Sequence, residues 1–578
     1  MACSSHERLE RELQLISVGC NFTTCFARLW RLPSAYFPLS QSYGSPVVLN
    51  YPQNHRNVKA YNSPMHRKPD LPALLLLAAL LFGVIVRVYP AMANGFPLND
   101  GGMFLVMTQD LRANGFALPD FTTYNNAEIP FAYPPLGFYV AALLSTLVPG
   151  SDLSIFLYLP AFIASLAIPA FYLFARQFSS SRVAAAIATL IYALEPRSFL
   201  WLVMGGGITR SFGVVFLLLM LWQALQLFKE YRLHRLILTM LFGAAAVVSH
   251  PQTAFHAALG GLIIFLFYGR NKRGILSAFI VALGVGILTS PWWLIVLQRH
   301  GLDTFLSAGQ TSQRSLEFYL IVLKLHLPSN IPAIPFLILF YIGLLVSFRE
   351  RNFIYIVWII SAYLSDPRGA DGIALFPKAV LAAMGTIQVW AWIDPGKDES
   401  VKRPAVRRGL LFVGVGMLVW FVLVAVITDF RLVNTSLKAG DLAMIEWVNE
   451  NSDAGKTFAL ATGREFSMTD PLQEWFPALT GQTSLTTLQG MEWTLAGDFF
   501  PWYEQLTEFQ KCPNVACLNE WSIRNGRAYD YLIVLIPPDL AEGEMAESLR
   551  SLGLSARVSA AHVIVYESAN ALIFEYKK

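Results

Sequence analysis

An acidic residue in front of a helical stretch is the first feature of the sequence that could do chemistry. Asp100 is followed by two glycines and then by residues 103–113, a helical stretch closed by Asn114 and Gly115. A carboxylate at this position can accept hydrogen bonds from the free N–H groups at the start of a helix. It can equally face a substrate and take a proton from it as a general base. The residue types leave both roles open, and one carboxylate can serve in both.

Positive side chains elsewhere in the chain could bind an anion. Arg87 lies near the end of the first apolar segment, Arg210 comes three residues after the glycine run 205–207, and Arg368 lies in an Asp-Pro-Arg turn. A glycine run beside an arginine lets backbone N–H groups and a cation approach a phosphate, although such a run also makes a flexible turn.

Four further residues are candidate substrate contacts, namely Glu128, Tyr133, His250 and Gln252. Tyr133 precedes two prolines and is also typical of a membrane-interface anchor. His250 and His256 do not share a helix face, so the pair does not indicate a metal site. A hydrogen-bonding role is predicted for His250 and a structural role for His256.

The composition places all of these residues in a membrane protein. Of the 578 residues, 55% are apolar and 14% are charged, and the mean hydropathy is +0.47. Soluble domains carry about 25% charged residues, so the composition excludes a soluble globular enzyme. The net charge of +4, from 43 basic and 39 acidic residues, gives no support to a nucleic-acid partner.

Apolar segments of roughly 20 residues, or fewer with polar flanks, predict membrane-spanning helices. The sequence has eleven, at 71–89, 155–175, 183–194, 208–228, 236–249, 253–268, 275–297, 334–348, 354–364, 373–393 and 410–427. Lysines and arginines cluster in every second loop, which predicts a cytoplasmic N-terminus and an extracytoplasmic C-terminal domain. This pattern requires residues 134–148 to be an interfacial helix, so a first loop of residues 90–153 lies outside.

The chain then divides into three parts. Residues 1–70 are predicted to be a poorly ordered cytosolic extension, and whether residues 1–64 belong to the mature protein stays open. Residues 71–428 form the membrane domain, and residues 429–578 form an α/β domain with strands near 457–461, 529–536 and 562–566. Cys512 and Cys517 flank a Pro-Asn turn in an oxidising compartment, which predicts a disulfide bond.

The residues 71–228 resemble the GT-C class of polytopic membrane glycosyltransferases. The shared features are Arg87 near the end of the first span, Asp100 after a proline, a short helix with Asn-Gly, Tyr133-Pro-Pro-Leu opening an interfacial helix, and a glycine-bearing second outer loop. They are similar to those of lipid-dependent mannosyl and aminoarabinose transferases and, more distantly, of the oligosaccharyltransferase catalytic subunit. Tyr133 stands where aminoarabinose-type transferases carry a lysine, and the acid that oligosaccharyltransferases carry in the second outer loop is replaced here by residues 207–210.

The resemblance implies a hexosyltransferase-type GT-C enzyme that uses a polyprenyl- or dolichyl-phosphate-linked sugar. It implies that Asp100 is the general base that deprotonates a glycan, lipid or protein acceptor. Arg87, Arg210 and Arg368 are then the candidate donor-phosphate ligands, in that order. No cofactor follows from the sequence, no metal ligands are assigned, and dependence on a divalent ion stays open.

Two other functions are compatible with the same sequence. The protein could be a non-catalytic membrane protein that binds or transports a glycolipid, or it could be a structural subunit of an assembly. In both cases Asp100 would be dispensable for glycan transfer.

Overall fold

The computed structural model describes residues 70–179, 181–310, 333–393, 404–464, 467–536 and 543–577. Of the predicted extension over residues 1–70, residues 1–69 lie outside these ranges. The three predicted strands and all eleven predicted membrane segments lie within them.

Long apolar helices build the membrane domain. They are α1 (Leu71–Asn94), α4 (Asp152–Phe178), α5 (Arg182–Leu194), α6 (Gly207–Lys229), α7 (Leu233–Val247), α8 (Pro251–Tyr268), α9 (Lys272–His300), α11 (Ile334–Arg349), α12 (Ile354–Ser365), α13 (Ala370–Ile393) and α14 (Pro404–Val433). Each of the eleven predicted segments overlaps one of them. Within the described ranges, seven are long and apolar enough to cross a bilayer, and α5, α7, α11 and α12 are shorter apolar helices.

The sequence explains where several of these helices begin and end. Ser181 caps α5 by accepting a hydrogen bond from Ala184 N, and Asn271 caps α9 through Gly274 N at 2.9 Å. Such caps satisfy N–H groups that have no partner within the helix. Gly95 ends α1 in the left-handed conformation, with φ of 74°.

The membrane helices pack around a shared apolar core. The helix pairs α4–α6, α1–α5, α6–α7 and α11–α13 make the most extensive contacts. Small residues permit the close crossings, since a Cβ atom on Gly343 of α11 would lie 1.8 Å from the carbonyl oxygen of Leu381 on α13. Helices α1, α9 and α14 expose many apolar side chains. Such a surface is expected next to lipid tails.

The first loop is an ordered structure between α1 and α4. It contains α2 (Gly102–Ala113), the antiparallel strands β1 (Phe121–Thr122) and β2 (Ile129–Pro130), and α3 (Leu136–Leu147). Helix α3 occupies the segment for which the sequence predicts an interfacial helix. Its first N–H group donates to the carbonyl oxygen of Val248 at 2.9 Å, which joins the first loop to the end of α7.

The C-terminal domain is an α/β structure, as the sequence predicts. After the short helix α10 (Asp303–Gln310) and the membrane helices, the chain forms α15 (Ala439–Asn451), β3 (Thr457–Ala461), α16 (Pro471–Thr480), β4 (Thr483–Ser484), α17 (Phe499–Gln510), α18 (Val515–Arg524), β5 (Tyr531–Leu535), α19 (Glu544–Val558), β6 (His562–Glu567) and β7 (Ala571–Tyr576). The strand order is β4-β3-β5-β7-β6, in which β4, β3 and β5 are parallel and β7 is antiparallel to both of its neighbours. Cys512 and Cys517 are joined by a disulfide bond.

A second apolar core joins the first loop to the C-terminal domain. Phe104 and Phe131 of the first loop share this core with Phe458 of β3 and with Trp475 and Phe476 of α16. Trp475 and Phe476 are fully buried, so they are packing residues of this core. The C-terminal domain therefore rests directly on the loop that carries Asp100.

Candidate active site

The Asp100 carboxylate is held by groups at the start of helix α6. Its Oδ1 accepts a hydrogen bond from the backbone N–H of Gly206 at 2.9 Å, and its Oδ2 forms an ion pair with Arg210 Nη2. Asp100 is 7% exposed. The cap of α2, the helix that follows Asp100, is Gly101, and no side chain caps that helix. Asp100 therefore does not cap the helix that follows it, so that one of the two predicted roles is wrong; it bonds instead to the N–H group at the start of α6.

The glycine run is required by the close approach of the Asp100 loop. A Cβ atom on Gly205 would lie 1.9 Å from the carbonyl oxygen of Asp100, and one on Gly206 would lie 2.6 Å from its Oδ2. The backbone N–H and the arginine at this run do hold an anion, as the pattern indicates. The anion in the structure is the Asp100 carboxylate.

Arg210 is fixed on a second side. Its Nη1 donates to the carbonyl oxygen of Trp201 at 3.2 Å, and its guanidinium lies 5.5 Å from the centre of the Trp201 ring. A planar guanidinium with five N–H donors can keep both contacts and still offer donors to a further anion.

Tyr133 and His250 lie next to this ion pair. Tyr133 is 8% exposed, and its ring centre is 6.0 Å from that of His250 and 5.8 Å from that of Trp493. The charge of Arg210 acts on both side chains. Burial, followed by the Arg210 charge, lowers the pKa of His250 to about 3, so the imidazole is neutral at physiological pH. Its Nδ1 is buried and has no hydrogen-bond partner in the described parts of the chain.

Two acids of the C-terminal domain complete the site, and the sequence did not reveal either as a site residue. Glu474 of α16 accepts a hydrogen bond from Gly101 N at 2.6 Å, and Glu492 lies in the short turn Met491–Trp493. Burial, followed by the Asp100 charge, raises the pKa of Glu474 to about 8. Burial also raises the pKa of Glu492. Both residues are more than 370 positions from Asp100 along the chain, so no local pattern could associate them with it.

A separate polar group lies between the start of α8 and the turn after α12. Asp366 accepts hydrogen bonds from Gln252 Nε2 and His256 Nε2, both at 2.9 Å. His256 thus has the structural role predicted for it, and the Gln252 amide is engaged by Asp366. Arg368, two residues further on, is exposed and its charge acts on Glu492. It lies on the Glu492 side of the site.

The position of Arg87 does not agree with phosphate binding. Its side chain is fully buried between α1 and α5, where the guanidinium donates to the carbonyl oxygens of Gly83 and Ala193 at 2.9 and 2.8 Å and to Ser198 Oγ at 2.9 Å. The buried side chain of Asp429 of α14, 1% exposed, acts electrostatically on Arg87. Because these acceptors come from the protein itself, Arg87 is a structural residue of the membrane domain.

Glu128 also lies apart from the ion pair. It is exposed, immediately before β2, with a backbone φ of 48°. Among the described residues, Asp100 takes its hydrogen bonds from Gly206 and Arg210, so Glu128 is not one of its partners.

No metal site is assigned to these acids. In the ranges that the structure describes, no group of three or more His, Cys, Asp or Glu side chains is arranged to hold a metal ion.

The helix arrangement and the C-terminal domain define a GT-C-like membrane glycosyltransferase fold, in a multi-pass membrane protein. The chain is similar to the structure of ArnT from Cupriavidus metallidurans bound to undecaprenyl phosphate, with 13% identity, a TM-score of 0.51 and coverage of 87% of this chain and 97% of that one. The structure of the same ArnT in the apo state gives 14% identity, a TM-score of 0.53 and the same coverage. The oligosaccharyltransferase of Archaeoglobus fulgidus, in complex with zinc and sulfate, gives 12% identity, a TM-score of 0.48 and coverage of 87% and 73%.

One family model also matches part of the chain. It is described as a 6-pyruvoyl-tetrahydropterin synthase related domain and as a membrane protein, and it matches residues 132–364. No curated protein matches the chain significantly.

Proposed function

We propose that the protein is a hexosyltransferase-type GT-C enzyme, with Asp100 as its general base. It transfers a sugar from a polyprenyl- or dolichyl-phosphate-linked donor to a glycan, lipid or protein acceptor. The observation that carries the proposal is the Asp100 carboxylate, fixed by Gly206 N–H and Arg210 beside Tyr133 and the neutral His250. A GT-C-like fold supports it.

The arrangement suits an inverting displacement at the anomeric carbon. Asp100 takes the proton from the acceptor hydroxyl or amine, the acceptor atom forms the new bond to the anomeric carbon, and the bond from that carbon to the phosphate oxygen breaks. The lipid phosphate leaves with the electron pair. Each Asp100 oxygen accepts one bond in the structure and retains a second lone pair for the acceptor proton.

Two arginines are suited to the departing phosphate. Arg210 can stabilise charge on the leaving group while it orients Asp100, and Arg368 adds a second cation near Glu492. The undecaprenyl phosphate bound by ArnT is consistent with such a donor. Tyr133 and His250 are proposed acceptor or sugar contacts, and Gln252 and Glu128 remain predicted contacts.

The proposed function also requires a particular orientation of the chain in the membrane. We propose eleven membrane spans, a cytoplasmic N-terminus and an extracytoplasmic C-terminal domain in the cell membrane. With this topology the first loop, Arg210 and Glu474 lie at the outer face, where a lipid-linked donor presents its phosphate.

The test is the glycan and glycolipid profile of cells that express wild type or Asp100→Asn at equal levels, measured by mass spectrometry. We expect one glycan to be lost and a polyprenyl-phosphate sugar to accumulate, because a general base contributes about 10²- to 10⁴-fold to the rate. The matched control is Asp120→Asn, an exposed acid of the same loop that pairs with Arg299 at 2.9 Å. It should leave the profile unchanged.

The other functions predict different profiles. If Asp100→Asn and wild type have the same glycans, Asp100 is only a helix cap and the enzyme assignment is wrong. Glycolipid binding or transport that persists in this variant would then favour a carrier, and no effect on any glycan or glycolipid would favour a structural subunit.

A further inference from the structure

The first turn of α16 lies directly on the backbone that carries Asp100. Glu474 Oε1 accepts from Gly101 N at 2.6 Å, and Trp475 Nε1 donates to the carbonyl oxygen of Asn99 at 2.9 Å. Gly102 allows this approach, because a Cβ atom there would lie 2.5 Å from the carbonyl oxygen of Glu474. The residues on both sides of Asp100 are thus bound to one turn of the C-terminal domain.

The backbone of the Asp100 loop needs such support. Asn99 has a positive φ angle of 53°, and a residue with a side chain is held in this region by its surroundings at a conformational cost. Gly101, with φ of 123°, is a residue type that adopts positive φ readily. The Gly101 N–H lies at the helix cap and its partner is the Glu474 carboxyl group. Tyr124 fixes that partner in turn, since its hydroxyl donates to the Glu474 carbonyl oxygen at 2.7 Å.

The charges around Glu474 come from three other elements. Asp100 of the first loop and Glu492 of the turn after β4 are negative when ionised, and Arg210 of α6 is positive. Arg210 is ion-paired with Asp100. Ionised Glu474 would therefore add a second buried carboxylate next to an ion pair that is already complete, and buried like charges disfavour ionisation.

We propose that Glu474 is a positioning residue, which holds the Asp100 loop through the N–H group of Gly101. Its carboxyl group is neutral, so Arg210 forms its ion pair with Asp100 alone. The C-terminal domain is then a structural part of the catalytic site. The inference rests on the proposed function for its catalytic meaning. The hydrogen bond and the bound proton can be tested without any transfer reaction.

Hydrogen exchange tests the positioning contact. We expect backbone exchange over residues 98–104 to rise about tenfold in Glu474→Ala, because the Gly101 N–H loses its acceptor. Glu474→Gln retains an amide oxygen and should restore protection. The control is Glu508→Gln, an exposed glutamate of the same domain that pairs with Arg524. Equal exchange in Glu474→Ala and wild type would show that Glu474 does not hold the loop.

Thermal unfolding against pH tests the proton. Burial, followed by the Asp100 charge, raises the pKa of Glu474 to about 8, so the folded protein binds one more proton than the unfolded chain between about pH 4.5 and 8. The stability that this group contributes is therefore fully present below about pH 4.5. It falls as the pH rises and is lost once the pH has passed the folded-state pKa of about 8. We expect wild type to lose about 5 °C more in Tm than Glu474→Gln between pH 5 and 9. Parallel curves for the two proteins would overturn the proposal.

The coupling to Asp100 distinguishes positioning from a merely structural role. In Asp100→Asn the neighbouring charge is gone, so the alkaline loss of Tm should move to lower pH. An unmoved midpoint would show that Glu474 does not sense the catalytic carboxylate. If Asp100→Asn leaves cellular glycans unchanged while these results hold, the proposed function fails and the positioning contact stands.

Discussion

At the scale of single residues, the site is built around an anion that the chain itself supplies. A glycine run with an arginine is a pattern that indicates phosphate, and in the structure the N–H of Gly206 and the guanidinium of Arg210 hold the Asp100 carboxylate. The same donors that would bind a ligand anion thus fix the candidate base. This arrangement fixes the carboxylate beside its ion-pair partner Arg210.

The short distances from Gly206 to Asp100 and Arg210 lead to a testable prediction. In Gly206→Ala the new methyl group would lie 2.6 Å from Asp100 Oδ2 and 2.9 Å from Arg210 Nη2, so the ion pair must move. We expect glycan transfer to fall at least tenfold, because small displacements of a catalytic group are costly. The measurement is the same mass-spectrometric profile, at matched expression.

Gly497→Ala is the matched control for this change. Its nearest atom is Gln310 Oε1 at 3.9 Å, so a methyl group fits there without a shift. Comparable losses in the two alanine variants would contradict a specific role of the Gly206 contact.

At the scale of elements, helices α1 and α5 are joined by the buried guanidinium group of Arg87. Arg87 donates to α5 and to Ser198, and its charge acts on Asp429 of α14. One Oδ atom of Asp429 and the Nε atom of Arg87 are buried without a hydrogen-bond partner in the described ranges. The Arg87 guanidinium is thus held by the carbonyl oxygens of Gly83 and Ala193 and by Ser198 Oγ.

Arg87→Met is therefore expected to destabilise the protein by about 1–3 kcal/mol, because the Ala193 carbonyl oxygen and Ser198 Oγ lose a buried donor. The measurement is the midpoint of unfolding in detergent micelles. Arg87→Lys, which keeps a donor group, should recover part of the loss. Equal stability of Arg87→Met and wild type would show that these hydrogen bonds do not join α1 to α5.

The sequence predicted the helices of the protein better than it predicted the contacts of the candidate site. Hydropathy located all eleven apolar helices, because each must satisfy its backbone internally and cover itself with apolar side chains. The pattern around Asp100 singled this residue out as a candidate base, and that role stays a prediction. It did not show which helix Asp100 caps, because Gly206 lies 106 positions away.

The roles of Arg87 and Glu474 could not be derived locally for the same reason. Position near the end of the first span suggested a phosphate ligand at Arg87, but its acceptors Ala193 and Ser198 are more than 100 residues distant. Glu474 is 373 positions from its partner Gly101. Only the tertiary packing of α16 on the first loop brings these two together.

At the scale of the whole molecule, the orientation of the C-terminal domain decides whether the proposed chemistry takes place outside the cell. Its disulfide bond between Cys512 and Cys517 provides a test. After treatment of intact cells with a membrane-impermeant reductant, we expect a membrane-impermeant maleimide to label these two cysteines. The control is a variant with both cysteines changed to serine, which should lose the label.

Labelling that requires permeabilised cells would place the domain inside and contradict the proposed topology. Closing the short loop also stabilises the domain, by about 2 kcal/mol in the chain-entropy model. The reduced protein should therefore unfold at a lower temperature than the oxidised one.

The packing of the C-terminal domain on the first loop sets an order of events during biosynthesis. Asp100 leaves the ribosome 374 residues before Glu474, and at about 5–20 residues per second this interval is roughly 20 to 75 s. During that time the loop lacks the hydrogen bond to Gly101 and the apolar core contributed by α16. If Asp100 is the catalytic base, the protein is therefore expected to become active only after the domain that carries Glu474 has been translated and folded.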